Sequence, residues 1–184
     1  LIDTVRIWIN PTPRVIPVVA EDRICYGDMT EVQITTPTVM THGLLKFDYT
    51  VFFSGVPGDL TGNQDPGPGQ NPGHIISFPY ENNTDTVQSV FYSILPRSEG
   101  TGCAAGLRDT AEVKVHPLPL QELWISQPLT CDSNSDLELT ADVARGTEPL
   151  DITWSSGDVN FDPEAAHNQT VVSDLIGGAY TVVV

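Results

Sequence analysis

Oxygen ligands at alternate positions are the first chemistry this chain offers. Asp132-Ser133-Asn134-Ser135-Asp136 places a carboxylate or amide at every second residue. Asp158-Val159-Asn160-Phe161-Asp162 repeats the spacing, with Glu164 two residues on. Hard divalent cations take about six to eight such oxygens, and short Asp/Asn loops open many calcium sites. Calcium is therefore the one candidate cofactor, held by Asp132, Asn134 and Asp136 or by Asp158, Asn160 and Asp162. Two positions argue against the first loop: Leu137 stands where its turn glycine belongs, and Val143 where a bidentate Glu belongs. If 136–143 is a strand, the alternation there is ordinary pleating, and solvated acidic turns are the competing reading.

Little else could react. His42, His74, His116 and His167 are scattered, with no partner at ligand spacing. No H-E-x-x-H, G-x-S-x-G or G-x-x-x-x-G-K-[ST] occurs, so no catalytic residue is assigned and the chain reads as non-enzymatic. Trp8, Trp124 and Trp154 could stack sugars, which would make a carbohydrate-binding module. Trp154, however, fits the buried tryptophan of a sandwich's central strand, and Trp8 more simply packs at a junction between modules. Asn82-Asn83-Thr84 and Asn168-Gln169-Thr170 match glycosylation sequons, which matter only in a host with that machinery.

The elements that must position these residues are strands. Only 17% of the residues are charged, while Gly and Pro number 15 each, a profile of short strands and many turns rather than helical bundles. Eight Lys and Arg stand against 24 Asp and Glu, for a formal charge of −16 that repels phosphate backbones and anionic lipid. Nucleic acid is excluded as a partner. No apolar run reaches the roughly 18 residues of a membrane helix, so no membrane insertion is expected. Leu1-Ile2-Asp3-Thr4 reads as mid-strand, as though the sequence were cut from something longer.

An internal repeat sets the organisation. Asp3-Thr4-Val5-Arg6-Ile7-Trp8-Ile9-Asn10-Pro11-Thr12-Pro13 returns as Asp109-Thr110-Ala111-Glu112-Val113-Lys114-Val115-His116-Pro117-Leu118-Pro119, offset by 106 residues. Apolar residues alternate in both copies, the period of a half-buried strand. The Pro-x-Pro that follows cannot continue a ladder, so it ends a last strand and stiffens the link beyond. On this reading 1–10 is the last strand of a preceding module, 11–117 a complete module, and 118–184 a second, shorter one. A period near 100 residues suits beads on a string.

Within 11–117 the alternation of Leu45, Phe47, Tyr49, Val51 and Phe53, and of Val90, Tyr92 and Ile94, marks two strands. Arg14–Ala20, Glu31–Thr36 and His74–Tyr80 are shorter candidates. Ser54 to Gly73 reads as one long aperiodic loop, either mobile or a binding element. The expected class is all-β, with tandem immunoglobulin-like antiparallel sandwiches. Cys25 and Cys103 lie near the two ends of the complete module and read as a disulfide formed outside the cytoplasm. Closing that 78-residue loop would contribute about 4–5 kcal/mol. Cys131 is left over, with a partner expected past Val184.

Several of these segments resemble a known family. Asn82-Asn83-Thr84-Asp85, Val90-Phe91-Tyr92-Ser93-Ile94-Leu95-Pro96 and Gly102-Cys103-Ala104-Ala105-Gly106 are similar to the PKD-like repeat of giant Bacteroidota cell-surface adhesins of the gliding-motility (SprB) type. Asn10-Pro11-Thr12-Pro13, Ile24-Cys25 and Leu45-Lys46-Phe47-Asp48-Tyr49-Thr50 fit the same pattern, which covers about residues 1–117. The shorter module resembles a second repeat of those adhesins through Cys131, Trp154-Ser155-Ser156-Gly157 and Leu175-Ile176-Gly177-Gly178-Ala179-Tyr180-Thr181-Val182. It departs from that pattern at Arg145, at Leu150 and in lacking a closing cysteine. The resemblance implies a secreted cell-surface protein exported by the type IX system, with Ig-like modules serving as stalk and adhesive surface. Its partners would be neighbouring modules of the same chain and an external surface, polysaccharide or protein.

Overall fold

Alternation of apolar side chains is the pattern the backbone obeys throughout. The computed structural model describes residues 3–101, 105–131, 135–146 and 149–184. The chain divides into two compact units, Leu1–His116 and Pro117–Val184.

Among its described residues the first unit holds ten strands: β1 (Ile16–Val19), β2 (Arg23–Ile24), β3 (Val32–Thr35), β4 (Leu44–Phe53), β5 (Leu60–Gly62), β6 (Gly67–Gln70), β7 (Ile75–Ile76), β8 (Tyr80–Asn82), β9 (Gln88–Glu99) and β10 (Asp109–Val115). One sheet runs β1-β3-β7 and the facing sheet β2-β10-β9-β4-β6, with β5 and β8 forming a small pair. Strand pairs are antiparallel except β2 with β10, which run parallel. In immunoglobulin lettering this is A-B-E over A′-G-F-C-C′. Val32, Ile34 and Ile76 from one sheet meet Phe47, Val90, Tyr92, Ile94, Val113 and Val115 from the other, all essentially solvent-free.

The second unit holds β11 (Gln121–Gln127), β12 (Leu137–Val143), β13 (Thr153–Ser156), β14 (Val171–Leu175) and β15 (Tyr180–Val183). Its sheets are β11-β12-β14 and β13-β15, the A-B-E and C-F halves of the same plan. Trp154 is fully buried among Leu139, Ala141, Ile152, Val172 and Val182, and its indole N–H donates to the Gln169 carbonyl at 2.7 Å. Tryptophan can sit in a core only when that donor is satisfied. Both units are therefore immunoglobulin-like β-sandwiches.

Two strand expectations need correction. Ser54 to Gly73 is not one structureless loop, because it folds into β5 and β6. Side chains rather than apolar alternation hold it: Asp48 accepts from the Gly69 amide at 2.6 Å, and Lys46 Nζ donates to Asn71 Oδ1 at 2.8 Å. Arg97 Nε in turn steadies Asp48 at 2.9 Å. Gly67 is needed because the Tyr49 ring lies where its Cβ would be. His74–Tyr80 is likewise split into β7 and β8, with Thr30 bonding Phe78 between them.

Beside that break sits the buried polar centre of the first unit. Tyr92 hydroxyl meets Thr30 Oγ1 at 2.6 Å and donates to Tyr80 hydroxyl at 3.1 Å, and Tyr80 donates to the Asn63 carbonyl at 2.9 Å. Tyr80 and Tyr92 are both inaccessible, and burial pushes both phenols above their ordinary range. Asn82 is also buried. Its amide donates to the carbonyls of Thr86 and Val115, both at 2.8 Å, and its Oδ1 accepts from Thr84. The sequon asparagine is thus a structural brace, closed to modification once folded.

Two predictions follow from this packing. A phenol whose pKa is raised in the fold stabilises it fully below the unfolded tyrosine value near 10 and loses that contribution as pH rises further. The first unit should therefore unfold cooperatively in alkali, with the tyrosinate absorbance of Tyr80 and Tyr92 appearing in one step with loss of its tertiary circular dichroism rather than before it. Gly67→Val should lower stability by about 1–3 kcal/mol, the usual range for overpacking, read as a drop in denaturant midpoint.

Candidate functional site

In the second unit, the segment between β13 and β14 carries Asp158, Asn160 and Asp162 to the surface. It borders an open groove of about 600 Å³ whose walls include Asp158, Asn160, Phe161, Asp162, Asp174 and Ile176. Ser135, within the other candidate loop, also lines it. Phe161 is held edge-on against Tyr180, with ring centroids 5.6 Å apart at 73°. Asp174 joins from β14 with a left-handed backbone, φ 59°, uncommon for a residue with a side chain.

The carboxylates are already engaged as turn acceptors. Asp158 Oδ1 takes the Asn160 amide at 3.0 Å and its side-chain amide at 3.3 Å. Asp162 Oδ1 takes the Glu164 and Ala165 amides at 3.0 and 3.2 Å, capping the turn that leads to buried Ala166. Asp136 accepts from both the amide and the hydroxyl of Thr130, at 3.1 and 2.6 Å, and these bonds hold its carboxyl below the usual range. Asp132 and Asn134 lie outside the described residues. Leu137 is buried as the first residue of β12, and Val143 is its last, so the alternation across 137–143 is pleating. Among the described residues, no three His, Cys, Asp or Glu stand together as a metal site.

The other candidates are dispersed. Cys25 and Cys131 are exposed free thiols, while Cys103, and with it the expected bond to Cys25, lies outside the described residues. His42 stacks on Trp8 at 5.8 Å, His74 on Tyr49 at 6.4 Å, and His167 meets Asp151 at 3.3 Å. Trp124 is 44% exposed on β11. Among the described residues, no helix is long and apolar enough to cross a membrane. Sequence spacing did not bring Asp174 and Ile176 to the groove with Asp158 and Asp162. They meet only because β14 returns beside the β13–β14 connection, and no local periodicity reports that.

What the groove offers chemically is acceptor oxygens beside an aromatic ring and an aliphatic side chain. Such a lining can accept hydrogen bonds and pack against an apolar face at the same time. No family model matches the chain, and no curated protein matches it. Among solved structures it is similar to the class 5 fimbriae chaperone CfaA, at 10% identity and a TM-score of 0.35, covering 91% of this chain and 84% of that one.

Capping and ligation by Asp162 make different demands. A cap is worth roughly 0.5–2 kcal/mol with no metal present. Asp162→Ala should therefore lower the melting temperature in chelator-treated buffer, and calcium should add no more stability than a monovalent salt of equal ionic strength. A defect seen only when calcium is supplied would identify Asp162 as a ligand instead.

Proposed function

We propose that this chain is a non-catalytic repeat segment of a large bacterial cell-surface adhesin, of the gliding-motility or surface-attachment kind, serving as stalk and contact surface. The observation that carries this reading is the repeated segment. Asp109–Val115 forms β10, between β2 and β9 of the first sandwich, and Asp3–Ile9 presents the same sequence pattern once more ahead of that sandwich. Recurrence of one segment at module spacing is how an extended array is encoded. The family resemblance of residues 1–117 supports an extracellular setting with type IX export. A second reading, a carbohydrate- or calcium-dependent binding module of a secreted enzyme, is favoured by the groove beside Phe161.

Bead adhesion separates them. Beads coated with the chain should be retained under flow on polysaccharide- or protein-coated glass, and Ile176→Glu, a surface change in the groove wall, should reduce retention severalfold. Retention no better than on albumin-coated beads would remove the adhesin reading. Specific recognition of one soluble glycan on an array, lost in Ile176→Glu, would favour the binding module.

A further inference from the structure

Positive charge is scarce in this chain, and most of it sits on one face of one sheet. Of eight Lys and Arg against 24 Asp and Glu, five belong to the outer side of β2-β10-β9-β4-β6: Arg23, Lys46, Arg97, Lys114 and, just ahead of β10, Arg108. Register fixes that side. Ile24 and Val115 are paired and buried, so the pair before them, Arg23 and Lys114, faces outward. Arg108 lies over the same face, donating from Nη1 to Ser93 Oγ at 2.9 Å.

Two cationic couples therefore stand directly across from one another, Lys46 with Arg97 and Lys114 with Arg23. Like charges opposite on neighbouring strands are destabilising, and in so acidic a chain a carboxylate is the expected neighbour. The first couple is relieved within the fold: Arg97 reaches Asp48 at 2.9 Å and Glu99 at 3.6 Å, and Lys46 donates to Asn71. The second is not. Among the described residues Arg23 and Lys114 form no ion pair, and Glu112, on the same side of β10, is engaged by the Ser89 hydroxyl at 2.6 Å. Beside these cations Phe52 stacks on Phe91 and is 46% exposed, and Thr50 and Thr110 flank Ser93 in the next row.

We propose that this face binds an acidic polysaccharide, a chain of uronate sugars whose carboxylates meet Arg23 and Lys114 at one end and Arg108 at the other. Guanidinium and ammonium groups take carboxylates, the aromatic pair takes an apolar ring face, and the threonines take hydroxyls. A uronate sugar carries all three, whereas an acidic peptide answers chiefly to the charge. Lys114 and Arg108 are six positions apart, about 20 Å at strand rise, so a polymer spans them and a single sugar does not. Repulsion from the −16 chain is screened beyond about 8 Å at physiological salt, which leaves the contact to the cations of the face itself. The assignment rests on the adhesin reading and gives it a contact surface in the first unit.

Calorimetric titration of the 184-residue chain with polygalacturonate tests this. Binding should saturate, weaken as salt rises, and be competed by long oligogalacturonates but not by monomeric galacturonate. Arg23→Glu, at an exposed site, should keep the parent's circular dichroism and weaken binding at least about fivefold, the scale of one exposed ion pair. Arg6→Glu, the same charge change at an exposed residue outside the sheet, should leave binding unchanged, and Glu112→Gln should strengthen it. No binding to polygalacturonate, binding that Arg23→Glu leaves intact, or equal binding to polyglutamate overturns the proposal. Retention of coated beads on protein-coated glass does not depend on any of these results, so the adhesin reading stands or falls separately.

Discussion

The long antiparallel ladder between β4 and β9 is the constraint from which the first sandwich hangs. Its register runs unbroken from Leu44 opposite Glu99 to Phe53 opposite Val90. That register puts Phe47, Tyr49 and Val51 on the same face as Val90, Tyr92 and Ile94, and this face is the one the β1-β3-β7 sheet covers. A shift of one residue would send the whole set to solvent, so burial and register enforce one another. On the outer face the same ladder stacks Phe52 on Phe91 at 5.1 Å and sets Asp48 within reach of Arg97. The polar tyrosine centre and the β6 attachment both depend on side chains that this ladder aims.

Legibility in the sequence tracked the source of the stabilisation. Where apolar alternation holds a strand, as in β4, β9 and β10, the residues announce it; the bounds of β4 and β10 follow the alternation closely, while β9 runs on past Ile94 to Glu99. The segments that were opaque are held otherwise. β6 is Gly67-Pro68-Gly69-Gln70, with no apolar side chain to alternate, and it exists because Asp48 and Lys46 reach across to it. The break between β7 and β8 depends on Thr30, more than forty residues away in sequence. Non-local hydrogen bonds leave no periodic trace.

The candidate site shows the same division. Alternating Asp and Asn at 158–162 correctly marks a polar surface turn, but the spacing is silent on whether the oxygens face a cation or their own backbone. The geometry answers that in part, since Asp158 and Asp162 each spend an oxygen on amides two or three residues ahead. Such short-range acceptance is what Asx turns do, and it arises from the same composition that builds calcium loops. Nor could sequence alone place Asp174 and Ile176 in the groove wall, because that depends on how β14 returns to β12.

Charge bears on which contacts between copies can form. At a formal −16, two copies approaching broadside meet mutual repulsion, and screening at physiological salt leaves it effective over about 8 Å. Lateral association is therefore disfavoured across most of the surface. Like-charge repulsion of this kind works as a filter on geometry, suppressing broadside pairings of copies.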